Sequence, residues 1–228
     1  MFYRSIFISL VLTTTVYAEK TTFQSEGVSV QMVDALGHIK HMIVKRDIPD
    51  ECRKVPINNT MVWTGNYAND KVPDTCKSTY VHTTGNLLPM QLHEEIDTYG
   101  ELVVLAFIKH MQKDDSMLLV DGRKQEWYDY RTIPGAVNLP FHHFKERKSF
   151  EFEFEHALRI LGVKINEDES LEFDNVKTIA IFCNGPWCSQ SVAMIKALLD
   201  IGYPAVKIKW YRGGIQTWLA AGMTTTRK

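Results

Sequence analysis

The sequence predicts an α/β fold, a parallel sheet with helices on both faces, preceded by a small N-terminal region that is part β and part irregular. Two observations carry this. Short apolar runs of strand length occur at 117–121 and 178–182, and strands buried on both faces read as near-continuous apolar runs. Between and after them lie stretches with helical periodicity, such as 189–201, where Val192, Ile195, Leu198 and Leu199 fall on one face. Strands alternating with helices at this spacing join parallel strands by crossovers.

The elements follow in order. Residues 27–45 read as a hairpin, with Val28, Val30 and Met32 alternating with polar residues, a turn at Ala35-Leu36-Gly37, and Ile39, Met42 and Val44 on the return. From 46 to about 95 turn formers abound (Pro49, Pro56, Gly65-Asn66, Pro73, Gly85-Asn86) and periodicity is lost. An apolar run at 102–108 reads as a helix, although its valine pair leaves a strand open. The strand 117–121, a short helix at 125–131, and a turn at Pro134-Gly135 come next. A helix at 150–161 closes at Gly162. The strand 178–182 leads to the helix 189–201, stopped by Gly202. A third strand is expected at 206–208 and a last helix at 215–221, ending at Gly222.

The 228 residues suffice for one substantial domain and a smaller one. With 45% hydrophobic and 11% aromatic residues and a net charge of -1, the composition is that of an ordinary globular protein and argues against a nucleic-acid binder. Residues 1–18 differ. Arg4 precedes an apolar stretch at 5–16, and Val16-Tyr17-Ala18 places small side chains where a signal peptidase reads them. The stretch falls short of the ~20 residues that span a bilayer. The expectation is a cleaved signal peptide at 1–18, an N-terminal region at 19–95 and the main domain at 96–228. The mature chain is then exported, to a periplasm first and secretion second, without stable membrane insertion. An uncleaved anchor or a buried N-terminal strand is the alternative.

In an oxidising compartment Cys52 and Cys76 pair as a structural disulfide, which would stabilise by roughly 3 kcal/mol; two free or buried thiols are the other reading. Cys183 and Cys188 are a separate matter. An apolar strand delivers Cys183 to the loop Asn184-Gly185-Pro186-Trp187-Cys188, and a helix begins near Ser189. Ligands of parallel sheets bind at the carboxyl ends of strands, and a helix N-terminus turns unsatisfied N–H groups towards such a loop. That setting lowers a thiol's pKa and makes Cys183 a candidate nucleophile. The plainer reading is a buried cysteine that merely ends a strand.

Three ordered motifs resemble the rhodanese (sulfurtransferase) family. Leu118-Leu119-Val120-Asp121-Gly122-Arg123, Glu126-Trp127 and 133–140 (Ile-Pro-Gly-Ala-Val-Asn-Leu-Pro) resemble its first signature. Cys183 and its loop resemble the active-site cysteine and cradle. Gly202-Tyr203, Val206, Gly213-Gly214-Ile215 and Trp218 to Gly222 resemble the closing signature. The likeness spans roughly 98–222. It implies that Cys183 accepts sulfane sulfur as a persulfide and passes it to a thiol, cyanide or another nucleophile. Backbone N–H groups from Asn184 to Ser189 (Pro186 has none) would steady the anionic sulfur. It also implies a supporting role for Asp121 and Arg123, either as an ion pair bracing the loops or in catalysis. Gly213-Gly214 is expected to allow close backbone approach, and Trp218 to lie in the core.

The partners so implied are a small-molecule or protein-bound sulfur donor and a thiol acceptor, with no cofactor and no nucleic acid. The tandem His142-His143 and the cysteines match no zinc spacing, and no metal is expected. Relatives with one such domain often carry Arg at the second or sixth loop position, where this chain has Asn184 and Cys188. The loop therefore lacks a cationic side chain for thiosulfate. A phosphatase reading fails because that chemistry needs a longer loop and a closing Arg. Pro186 and Trp187 offer an apolar wall to a bulkier donor, or simply stiffen the loop. Cys188 admits two readings, packing residue or second thiol. The second makes the protein a thiol-disulfide or persulfide oxidoreductase; a non-catalytic binding module is a third alternative.

Overall fold

A computed structural model of the chain describes residues 27–45 and 88–227, together with Pro73 and Thr75. The expected signal peptide and the Cys52/Cys76 pair lie outside the described residues. The hairpin forms as expected, with β1 (Val28–Val33) antiparallel to β2 (Ile39–Val44) and Val30 opposite Met42. The turn between them needs a left-handed residue, which Gly37 supplies at φ 82°.

The main sheet has five parallel strands: β3 (Asp97–Thr98), β4 (Met117–Asp121), β5 (Val137–Asn138), β8 (Thr178–Phe182) and β9 (Ile208–Tyr211). Their order across the sheet is β3-β9-β8-β4-β5. A short hairpin of β6 (Lys164–Ile165) and β7 (Leu171–Glu172) stands apart. Helices α1 (Glu101–Met111), α2 (Gln125–Tyr130), α3 (Phe141–Lys145), α4 (Glu151–Ile160), α5 (Ser189–Asp200) and α6 (Gly214–Ala220) cover it.

The apolar runs β4 and β8 are buried on both faces for a simple reason. Along β8, Ile179 and Ile181 point into one core with Met194, Ile195 and Leu198 of α5 and Leu158 of α4. Ala180 and Phe182 point into the other, with Val104, Leu105 and Ile108 of α1 and Trp218 of α6. Each of these fully buried aliphatic side chains contributes about 2 kcal/mol. Val30 and Val44 join the second core, so the hairpin packs on the same sheet assembly. Trp218 is a core residue, as expected, with its Nε1 donating to the carbonyl of Thr224 at 2.7 Å. Among the described residues no helix is long and apolar enough to cross a membrane.

The third strand needs correction. Residues 205–207 form a 3-10 turn with Val206 half exposed, and the strand starts at Ile208, which pairs with Ile179. Pro204 starts the turn and delays extended backbone until the edge of β8 is reached.

The order of strands places the site. The chain leaves β4 towards β5 on one side, whereas it leaves β8 towards β9 on the other. Adjacent strands whose connections depart in opposite directions open a crevice at their carboxyl ends. Arg123 follows β4 and Cys183 follows β8, so both stand at that crevice.

Candidate active site

The loop after Cys183 carries almost no regular structure and is held by its neighbours. The carbonyl of Cys183 accepts from the N–H of Ile215 at 3.0 Å, and that of Asn184 from Gln216 at 2.8 Å. The loop turns back on itself where Cys188 N–H donates to Gly185 O at 2.9 Å. Leu88 N–H reaches in from the N-terminal side to Pro186 O at 2.7 Å, and Trp187 Nε1 donates to Gln216 Oε1 at 2.6 Å. Close approach requires glycine at 214: an added Cβ would stand 2.8 Å from Gly185 N and closer still to Cys183 O, at a φ of 56°. The close approach expected of Gly213-Gly214 is therefore located at Gly214.

Asp121 and Arg123 are buried, 0% and 2% exposed, and paired side-on: Nε donates to Oδ1 at 2.9 Å and Nη2 to Oδ2 at 2.6 Å. Thr132 Oγ1 donates to the same carboxylate at 2.8 Å. Asn138 Nδ2 ties the carbonyls of Asp121 and Arg123, at 2.9 Å each. From this rigid base Arg123 Nη1 extends to Asn184 Oδ1 at 3.2 Å. Of the two readings of the pair, bracing of the loops is the one these bonds describe.

Cys183 and Cys188 are both free thiols and both buried. Cys183 Sγ donates to the carbonyl of Cys188 at 3.1 Å and accepts from Ser191 Oγ at 3.4 Å. Ser191 is fixed in turn by Trp210 Nε1, at 3.1 Å. The thiols interact directly. The S–H of Cys183 is the largest influence holding Cys188 down, at about 6; the N–H groups of Asn184 and Gln190 and the charge of Arg123 act the same way against burial. Burial, followed by the proximity of Cys188, pushes the Cys183 thiol well up.

This corrects the expected electrostatics. Of the two thiols it is Cys188, the N-cap residue of α5, that is held down, while burial pushes Cys183 up. Ser189, expected among the anion-binding residues, is exposed at the start of α5. The two residues beyond it supply contacts instead, Gln190 to the Cys188 sulfur and Ser191 to that of Cys183. Ser191 carries a readable signal, a hydroxyl among the apolar positions of an amphipathic helix. Leu88 and Gln216 carry none. His142 and His143 lie on α3 beside a cavity of about 650 Å³, also lined by Lys124, Lys145 and Phe150, which contains neither cysteine.

The sequence profile of the rhodanese-like domain matches residues 105–221, just over half of the chain. The chain belongs to the rhodanese-like domain family. Among solved structures, this rhodanese-like chain is similar to a rhodanese with anions from E. coli, at 21% identity and a TM-score of 0.31 over 49% of this chain and 99% of that one. It is also similar to a protein from Bacillus halodurans, at 21% identity and a TM-score of 0.38 over 57% and 77%. A thiosulfate sulfurtransferase from Pseudomonas aeruginosa matches at 16% identity and a TM-score of 0.38, over 58% of this rhodanese-like chain and 20% of the other. Comparison with curated protein sequences finds no match.

Proposed function

We propose that this rhodanese-like protein is an exported sulfurtransferase that accepts sulfane sulfur on Cys183 and passes it to a thiol. One observation carries the reading: Cys183 stands at the carboxyl end of β8, in the switch-point crevice, with its Sγ 3.1 Å from the carbonyl of Cys188, the other thiol-bearing residue of the loop. Family membership supports sulfur transfer as the chemistry. Cys188 supplies what a buried thiol lacks, a base. When a donor enters, the proton of Cys183 passes to the sulfur of Cys188 and leaves a thiolate on Cys183. That thiolate attacks the outer sulfur of the donor. The new S–S bond forms as the donor's bond to that sulfur breaks, and the rest of the donor leaves with the electron pair. For a thiosulfonate the leaving group is a sulfinate.

The donor class follows from the loop. Asn184 and Cys188 stand where a cationic side chain would hold a small dianion, and the half-buried Pro186 and Trp187 present an apolar edge. An organic sulfane donor suits this loop better than thiosulfate. The test is mass spectrometry of the reduced protein after exposure to an aromatic thiosulfonate. Both cysteines fall in the peptide between Lys177 and Lys196. At short exposure sulfur should be found on Cys183, and Cys183→Ser should load none. Equal loading of the variant would exclude Cys183 as the acceptor.

A further inference from the structure

Cys188 is buried beside the thiol of Cys183, and the N–H groups of Asn184 and Gln190 favour a charge on it. Those donors are the ones a loop of this shape would offer to an anion from outside. The turn closed by Cys188 N–H on Gly185 O brings the backbone round until the carbonyl of Cys188 lies 3.1 Å from Cys183 Sγ. A disulfide needs Cα atoms within about 7 Å, and this return of the backbone brings the two residues together. A buried packing position gains nothing from a polarised sulfur, because desolvating a charge is costly unless it is used or fully paired.

We propose that Cys188 is a resolving thiol, which attacks the persulfide of Cys183, closes a Cys183–Cys188 disulfide and expels the outer sulfur as hydrosulfide. The proposal rests on the reading of Cys183 as sulfur acceptor, and it makes the protein a sulfane-sulfur reductase. The bond from Cys188 Sγ to Cys183 Sγ forms as the bond from Cys183 Sγ to the outer sulfur breaks. The outer sulfur leaves with that electron pair and one proton, taken from the persulfide or from the protonated Cys188. Counted from donor to product, the sulfane sulfur gains two electrons and the pair of thiols loses two. An external dithiol returns the disulfide to the resting pair by two thiol–disulfide exchanges, becoming a disulfide itself. Arg123, which reaches Asn184 of the same loop and whose charge acts on Cys188, would favour the departing anion.

A single-turnover experiment decides it. Reduced full-length protein, freed of reductant, is mixed with an aromatic thiosulfonate, whose co-product is a sulfinate, so that any hydrosulfide comes from the persulfide. The wild type should release one hydrosulfide per chain, and the 178–196 peptide should end lighter by two hydrogens. A dithiol should restore repeated turnover. In Cys188→Ser and Cys188→Ala, checked for folding by circular dichroism, the peptide should take up sulfur more slowly, for want of the base, and then keep it. Their hydrosulfide release, counted per sulfur loaded, should fall by at least an order of magnitude. A wild-type persulfide as long-lived as that of the variants, with no disulfide, would overturn the resolving role and leave the acceptor role standing. Absence of added sulfur from the variants and of hydrosulfide from the wild type would overturn both.

Discussion

Gly214→Ala is the substitution for which the structure gives the fullest arithmetic. Two penalties combine at this position. An L side chain at φ 56° costs about 1–2 kcal/mol. The added Cβ also meets backbone at Cys183 O, Gly185 N and Asn184 C, and ordinary contact begins at 3.4 Å against the 2.8 Å found to Gly185 N. Backbone cannot rotate out of the way as a side chain can. The loop must back off by roughly half an ångström or more, weakening the bonds from Ile215 and Gln216 to the Cys183 and Asn184 carbonyls, worth about 1 kcal/mol each. The expected loss is about 3–4 kcal/mol, or a drop of roughly 1–2 M in the urea midpoint at a slope of about 2 kcal/mol/M.

The rate of sulfur loading on Cys183 should fall about 10- to 100-fold, the usual penalty for misplacing reacting groups on this scale. Gly37→Ala is the control: its φ is 82° with nothing within 4 Å of the added Cβ, so it reports the conformational penalty alone, about 1 kcal/mol. Urea unfolding and loading kinetics read out both variants. A Gly214→Ala protein that unfolds where Gly37→Ala does, and loads at the wild-type rate, would refute the claim that this glycine sets the height of the loop.

Arg123→Ala should destabilise by about 3 kcal/mol, since it leaves the fully buried Asp121 with Thr132 and one backbone N–H as partners. Arg123→Lys should recover little of this in thermal or urea melts, because an ammonium cannot replace the side-on pair. For pH, the pair carries one negative charge above about 6, the value to which Cys188 is held, where an ordinary thiol would wait until 9.0. Alkylation of the 178–196 peptide should therefore fall off as pH drops through about 6. In Cys183→Ala the midpoint should move up, since the S–H that most lowers Cys188 is gone; an unmoved midpoint would remove Cys183 from that role. Trp187→Ala should raise KM for an aromatic thiosulfonate several-fold more than for thiosulfate, measured in the same steady-state assay.

Much of the fold could be read because it obeys local rules. The strands β4 and β8 are legible to the residue, as each is a run of apolar side chains that must face two cores. The helix ends at Gly162, Gly202 and Gly222 are legible because the chain turns left-handed there, with φ of 80°, 94° and 67°. The two-residue strands β3 and β5 leave no pattern; they exist only through pairing, Asp97 with Lys209 and Val137 with Val120. The five-residue helix α3 and the β6–β7 hairpin of two-residue strands are likewise too short to leave a period.

At the site, Cys183, Asp121 and Arg123 could be read from motif and position. The opposite directions in which burial and the loop push Cys183 and Cys188 could not. Leu88 and Gln216 were silent because their roles arise only where distant segments meet.

The way the loop is held also bears on how the protein comes to be active. Leu88 is bound to Pro186, Arg123 to Asn184 across 61 residues of sequence, and Trp187 to Gln216 across 29. Contacts between such remote segments form late, because the chain must close large loops before they are rewarded. The cradle is therefore among the last parts of the molecule to be completed. A chain still folding would hold the two thiols without their hydrogen-bonded neighbours, and under the proposed function it would acquire sulfur chemistry only when the whole sheet is in place. Competence at Cys183 is in this sense a report on the folding of the entire domain, from the segment at Leu88 to the start of α6.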